Sequence, residues 1–73
     1  MTGTFTIPGW GKIRTTTRRR YLLIGYYTAE QATSARWPAG PFAAGFTDNL
    51  FSARRRAASR YKILDTHTGE VVR

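Results

Sequence analysis

Apolar positions fall at helical spacing in one stretch of this chain and alternate in several others. The clearest stretch runs from Phe46 to Arg73. Leu50, Ala53, Ala57 and Tyr61 recur on one side, with Phe51 and Ala58 widening the stripe. Ser52, Arg55, Arg56, Ser59 and Arg60 gather opposite them. The pattern predicts a helix over about 48–60, apolar on one face and basic on the other. Its start is marked by Thr47 as the capping hydroxyl, by Asp48 at the first helical position, and by Phe46 and Phe51 at the two positions of a hydrophobic staple. The central apolar residues are small, so the helix should lie close to its partner, and Ala57→Leu would overpack the contact. The chain then alternates through Tyr61, Ile63 and Asp65, turns over Asp65-Thr66-His67-Thr68-Gly69, and returns through Glu70-Val71-Val72-Arg73. That is a C-terminal β-hairpin in which Gly69 supplies a positive φ.

Toward the N-terminus, Thr4 to Ile7 alternates, and Pro8-Gly9-Trp10-Gly11 ends the strand with turn chemistry. Lys12 to Tyr27 holds no proline, and no glycine before Gly25. It reads either as one long bent strand or as two strands joined near Thr17-Arg18. In the continuous version Lys12, Arg14, Arg18 and Arg20 would share one face over about 27 Å. Tyr21 to Tyr27 is apolar on both faces, as in a central, covered strand. Thr28 and Gln31 have capping-box spacing, which predicts a short helix over about 29–35 before Trp37-Pro38. From Pro38 to Gly45, prolines and glycines describe an ordered loop that carries Trp37 and Phe42.

These elements define a single small basic α+β domain over 1–73. An antiparallel sheet of about four or five strands carries the main helix (about 48–60) on one face, and the hairpin follows. Length agrees: 73 residues suit one small core, which buries only about 60–65% of the unfolded surface. There is no cysteine and only one histidine, His67, which removes disulfides, thiolate metal sites and histidine clusters. No apolar run approaches the roughly 20 residues of a transmembrane helix. The acid-free first 29 residues resemble a transit peptide in composition, but their β-branched alternation and Pro8-Gly9 argue against its amphipathic helix, and a secretory signal is less expected still. A cytoplasmic location is expected.

Charge changes the picture most. Twelve lysines and arginines face four acids, a formal net charge of +8, which favours a polyanionic partner. Two clusters carry it, Arg18-Arg19-Arg20 and Arg54-Arg55-Arg56 with Arg60. Either can hold phosphates, and the helical one has the shape of a groove-binding face. Arginine also pairs with carboxylates, so an acidic protein surface is the competing partner, with Trp37 and Phe42 as its anchors. Anionic lipid is a third, weaker fit. Trp10, Tyr26, Tyr27 and Trp37 are the rings available for base stacking, though in so short a chain most serve the core. The dominance of arginine over lysine, with abundant Ala and Gly, suggests a GC-rich coding genome, and so a bacterial or phage origin.

Catalytic chemistry has little to work with. Asp65 and His67 are the only nearby acid and imidazole, and both read as turn residues. Glu30 and Asp48 read as helix-start carboxylates. No phosphate loop, nucleophile elbow or zinc spacing is present, so an enzyme, a cofactor and a metal are not expected. A helix followed at once by a hairpin, over Phe46 to Arg73, resembles the last third of a winged helix. Small basic phage DNA-binding proteins such as excisionases use that arrangement. The helix-turn-helix that would precede it is absent, because residues before Thr28 have strand patterns. The expected function is thus non-enzymatic nucleic-acid binding, mainly to the phosphate backbone, with docking on an acidic host protein as the alternative. A free strand edge would also let a second copy pair.

Overall fold

In the computed structural model, which describes residues 2–72, the chain is α+β. Its elements are β1 (Thr2–Ile7), β2 (Gly11–Thr16), β3 (Tyr21–Tyr27), α1 (Ala29–Ala35), β4 (Gly40–Thr47), α2 (Leu50–Ala57), β5 (Lys62–Asp65) and β6 (Glu70–Val72). All strand pairing is antiparallel, in two sheets rather than one: a ribbon β1-β2 and a four-stranded sheet in the order β4-β3-β5-β6.

The first turn follows from its residues. Pro8 precedes Gly9, whose φ is +80°, and the Trp10 N–H closes the turn on the Ile7 carbonyl at 2.9 Å. The resulting ribbon turns Ile7, Ile13 and Thr15 inward. Thr4, Thr6, Lys12 and Arg14 face out. Of the two readings of Lys12 to Tyr27, the two-strand one is observed. Regular pairing stops after Thr16 and resumes at Tyr21 in the other sheet, so the continuous basic face through Arg18 and Arg20 does not form, and of its four residues only Lys12 and Arg14 lie on the ribbon.

β3 is the centre of the larger sheet, with Tyr21 to Gly25 buried. Because successive side chains alternate, it supplies two cores. Leu22 and Ile24 pack with Leu64, Ile7 and Ile13 under the ribbon. Tyr21 and Leu23 pack with Ile63, Ala53 and Ala57 under α2. The layers are therefore ribbon, sheet and helix. Each fully buried Leu or Ile side chain contributes about 1.5–3 kcal/mol relative to exposure.

Four sequence expectations need correction. The α2 cap is Asn49, whose side chain accepts from the Ser52 N–H at 3.1 Å, while the Thr47 hydroxyl accepts from the Asn49 N–H. With the boundary two residues later, Phe46 and Phe51 no longer hold staple positions, and Phe51 is 71% exposed. The helix ends at Ala57, because Ala58 takes φ +49° and ψ −126° to swing the chain toward β5. Arg60 therefore lies in the following turn, and Ala58 is exposed rather than part of the apolar stripe. The predicted loop through Phe42 is strand β4. Pro41 is tolerated there because β4 is an edge strand, where a missing N–H costs no ladder bond. A register shift opposite Leu23 and Ile24 accommodates Ala44, which packs toward α2.

The element before α2 is thus a strand, and the winged-helix likeness goes no further than helix plus hairpin. α1 forms with its capping box complete: Gln31 N–H to the Thr28 hydroxyl, Thr28 N–H to the Gln31 side chain. Arg73 of the predicted hairpin lies outside the described residues.

Candidate nucleic-acid interface

The two arginine clusters meet different surroundings. Arg18, Arg19 and Arg20 occupy the link between β2 and β3, where two aspartates reach them. Asp48 accepts from the Arg19 side chain and from the Arg20 backbone N–H, each at 2.8 Å. Asp65, buried at 6% exposure, accepts from Arg20 Nε and Nη2 at 3.1–3.3 Å in a side-on fork. The same carboxylate takes the His67 N–H at 2.9 Å, and Thr66 bonds the carbonyls of Arg19 and Arg20. The link is thereby sewn to the entry of α2 and to the β5-β6 turn.

These bonds set the titration. The Arg20 side chain, followed by the His67 N–H, holds the Asp65 carboxyl below the usual aspartate range against the opposing effect of burial. Arg19, then the Arg20 N–H, does the same for Asp48. Asp65 holds the Arg20 proton more firmly in return. Asp48 therefore acts as a tie between segments, not as the helix-start carboxylate its position predicts. Glu30 does lie in the first turn of α1. All three arginines of the run are exposed, and Arg18 and Arg19 line a shallow hollow with Thr16 and Phe46.

α2 itself carries no acid, and Asp48, just before its cap, is engaged by Arg19 and the Arg20 N–H. From Asn49 to Leu64 there are five cations, Arg54, Arg55, Arg56, Arg60 and Lys62, and no carboxylate. Arg55 projects from the helix over the Phe51 ring at 6.0 Å. Arg56 leans on the edge strand, donating to the Phe46 carbonyl at 3.4 Å and filling the space beside Gly45. Arg54 borders a groove floored by Ala57, Ile63, Val71 and Val72. All four cluster arginines are exposed residues, Arg60 included. Phe46 lies near both clusters: its carbonyl accepts from Arg56, and it borders the hollow that Arg18 and Arg19 line. Arg56 and Pro41 together blunt the β4 edge against pairing with another strand.

The predicted aromatic anchors form part of a stack. Phe42 lies 4.2 Å from Tyr27 at 17°, and Tyr27 lies 6.4 Å from Trp37 at 9°. Phe42 sits directly over Gly25, where a Cβ would come within 2.4 Å of its ring. Trp37 is 59% exposed. By strand alternation Gly25 and Tyr27 face the same side of the sheet as Tyr21 and Leu23, the side covered by α2. Trp10 and Tyr26 stand on the other side, 5.4 Å apart, with Lys62 Nζ 4.5 Å over the Trp10 ring. The residues that sequence reasoning did not connect are Gly25, Arg36 and the aspartate partners of Arg19 and Arg20. Only spacing in three dimensions reveals them.

Among the described residues no cluster of acids and histidine is arranged to hold a metal ion. No helix among them is long and apolar enough to cross a membrane. No family model matches the chain, and no curated protein or solved structure matches it either.

Proposed function

We propose that this protein is a non-enzymatic nucleic-acid-binding protein that holds the phosphate backbone mainly through the α2 region. The observation that carries this reading is the display of Arg54, Arg55, Arg56 and Arg60 as exposed residues along α2 and the turn that follows it. A surface of that kind gains affinity by releasing condensed counterions from a polyanion. Arg18, exposed in the β2–β3 link, adds a further cation. Arg19 and Arg20 contribute less, since their charge is already shared with Asp48 and Asp65. A cytoplasmic, bacterial or phage setting is consistent with this role.

The second reading is a module that docks on an acidic protein surface, and the exposure of Trp37 favours it. Phe42 is a poorer anchor than its sequence position suggests, because Gly25 and Tyr27 cover it. Salt titration of binding tests the first reading. With DNA or RNA, log affinity should fall linearly with log salt between about 50 and 200 mM, the slope counting the phosphates neutralised. Absence of nucleic-acid binding at the lower salt would exclude it.

A further inference from the structure

We infer that the Trp37–Tyr27–Phe42 stack is a platform for an unpaired nucleobase, so that the nucleic acid this protein takes is single-stranded. The inference rests on the phosphate-binding reading above and adds what the chain would do with bases.

The stack is built from the sheet outward. Gly25 leaves the space in which the Phe42 ring lies, since any Cβ there would collide with it. Phe42 supports Tyr27, and Tyr27 supports Trp37, at interplanar angles of 17° and 9°. Trp37 is placed by the end of α1. Arg36 takes φ +58° and ψ +36°, a left-handed conformation usually given to glycine, and the Trp37 N–H bonds the Ala32 carbonyl at 2.9 Å.

Three features favour a base over a protein pocket. Trp37 lies nearly parallel to Tyr27 and offset from it, and the ring remains 59% exposed. It offers a flat platform instead of a knob for insertion. The cations that would hold the flanking phosphates are on hand: Arg36 is the adjacent residue and is exposed, and α2 stands on the same side of the sheet as Tyr27. A stacking ring combined with cations on the same face is the arrangement that binds single strands without sequence preference. The aromatic pair on the other side of the sheet is less suitable, since Trp10 is half-buried and covered by Lys62 and Tyr26.

The test uses three probes with the same number of phosphates: a single-stranded oligonucleotide, the same strand with abasic positions, and a duplex. Affinity and tryptophan fluorescence are measured at fixed salt. Stacking one base should make the normal strand bind more tightly than the abasic one by between about 5-fold and 150-fold, with quenching of the tryptophan signal. Trp37→Ala should abolish that preference and leave the salt slope unchanged, while Trp37→Phe retains most of it. Each variant is accepted only if its melting curve matches the parent. RNA and DNA versions of the strand are run in parallel, and the tighter one identifies the sugar. Equal binding of normal and abasic strands would overturn the inference and leave the phosphate reading standing. So would a Trp37→Ala variant that weakens all three probes alike. Failure to bind any probe at low salt would remove the phosphate reading, and this inference with it.

Discussion

Arg18-Arg19-Arg20 and Arg54-Arg55-Arg56 are the same tripeptide set in two backbones. The first lies in an irregular link, where Asp48 and Asp65 come from 28 and 45 residues away to bind it. The second lies on a helix that carries no acid of its own, while Asp48 just before its cap is taken by the first run. One run has become internal wiring that fixes the β2–β3 link to the α2 entry and the β5-β6 turn. The other is displayed as exposed residues along α2, with Arg55 over the Phe51 ring and Arg56 on the Phe46 carbonyl. Counting cations cannot distinguish the two, because the difference lies in where the four carboxylates fold to. The positive surface relevant to a partner is therefore smaller and more one-sided than the net charge implies.

The largest effect that would sharpen this contrast is on stability. Asp65→Ala removes the acceptor for the Arg20 fork and for the His67 N–H. Removing a buried acceptor costs about 1–3 kcal/mol, and the partial exposure of Arg20, 44%, puts the expected loss in the lower part of that range. Denaturant unfolding measures it. An unchanged midpoint would mean that the first run is as dispensable to the fold as the second.

Second comes an effect on binding. Arg55→Ala combined with Arg60→Ala should leave stability within about 0.5 kcal/mol, as for surface changes elsewhere. The salt slope for nucleic acid should flatten by about two, so that between about 50 and 200 mM the parent loses about tenfold more affinity than the variant. The same double change is worth making at Arg19 and Arg20 for contrast. If the slope flattened equally there, the proposed division between wiring and display would fail.

How much of this was legible beforehand depends on how local each signal is. The Thr28–Gln31 capping box, the Pro8-Gly9 turn, the Gly69 hairpin turn and the small residues under α2 are local patterns, and all are present in the structure. β4 was hidden because Gly40, Pro41 and Gly45 carry loop chemistry. Pairing with β3 along one edge overrides it, and the neighbouring Arg56 side chain fills the space at Gly45. Asp48 misled for a related reason. Its place beside a helix start suggested a dipole role, but its ligands, Arg19 and the Arg20 N–H, are distant in sequence. The exposed arginines were visible as a run of charge, whereas the loss of two of them to aspartates was not. The aromatic stack depends on Gly25, a residue whose contribution is the absence of a side chain.

The smallest expected effect is also the most selective, and it concerns acid. Asp48 and Asp65 both have carboxyls held below their ordinary value, Asp48 chiefly by Arg19 and Asp65 chiefly by Arg20. A depressed folded-state value contributes stability that is present above the unfolded value, about 3.9, and is lost as pH falls through the folded value. Stability should therefore decline as pH drops below about 4. General charge repulsion also grows in acid, so the comparison must hold net charge constant. Arg19→Ala and Arg55→Ala each lower the formal charge by one, from +8 to +7, and differ only in which run they touch. Arg19→Ala removes the main cause of the Asp48 shift, leaving the Arg20 N–H, and should shorten the acid decline slightly. Arg55→Ala, with no carboxylate paired to it among the described residues, should follow the parent through the same range apart from the shared repulsion term. Melting curves of the two variants between about pH 2 and 6 would separate them. Superimposable curves would show that the Arg19–Asp48 contact, with side chains 62% and 55% exposed, is screened away in water. The wiring of the first run would then reduce to Arg20 and Asp65 alone.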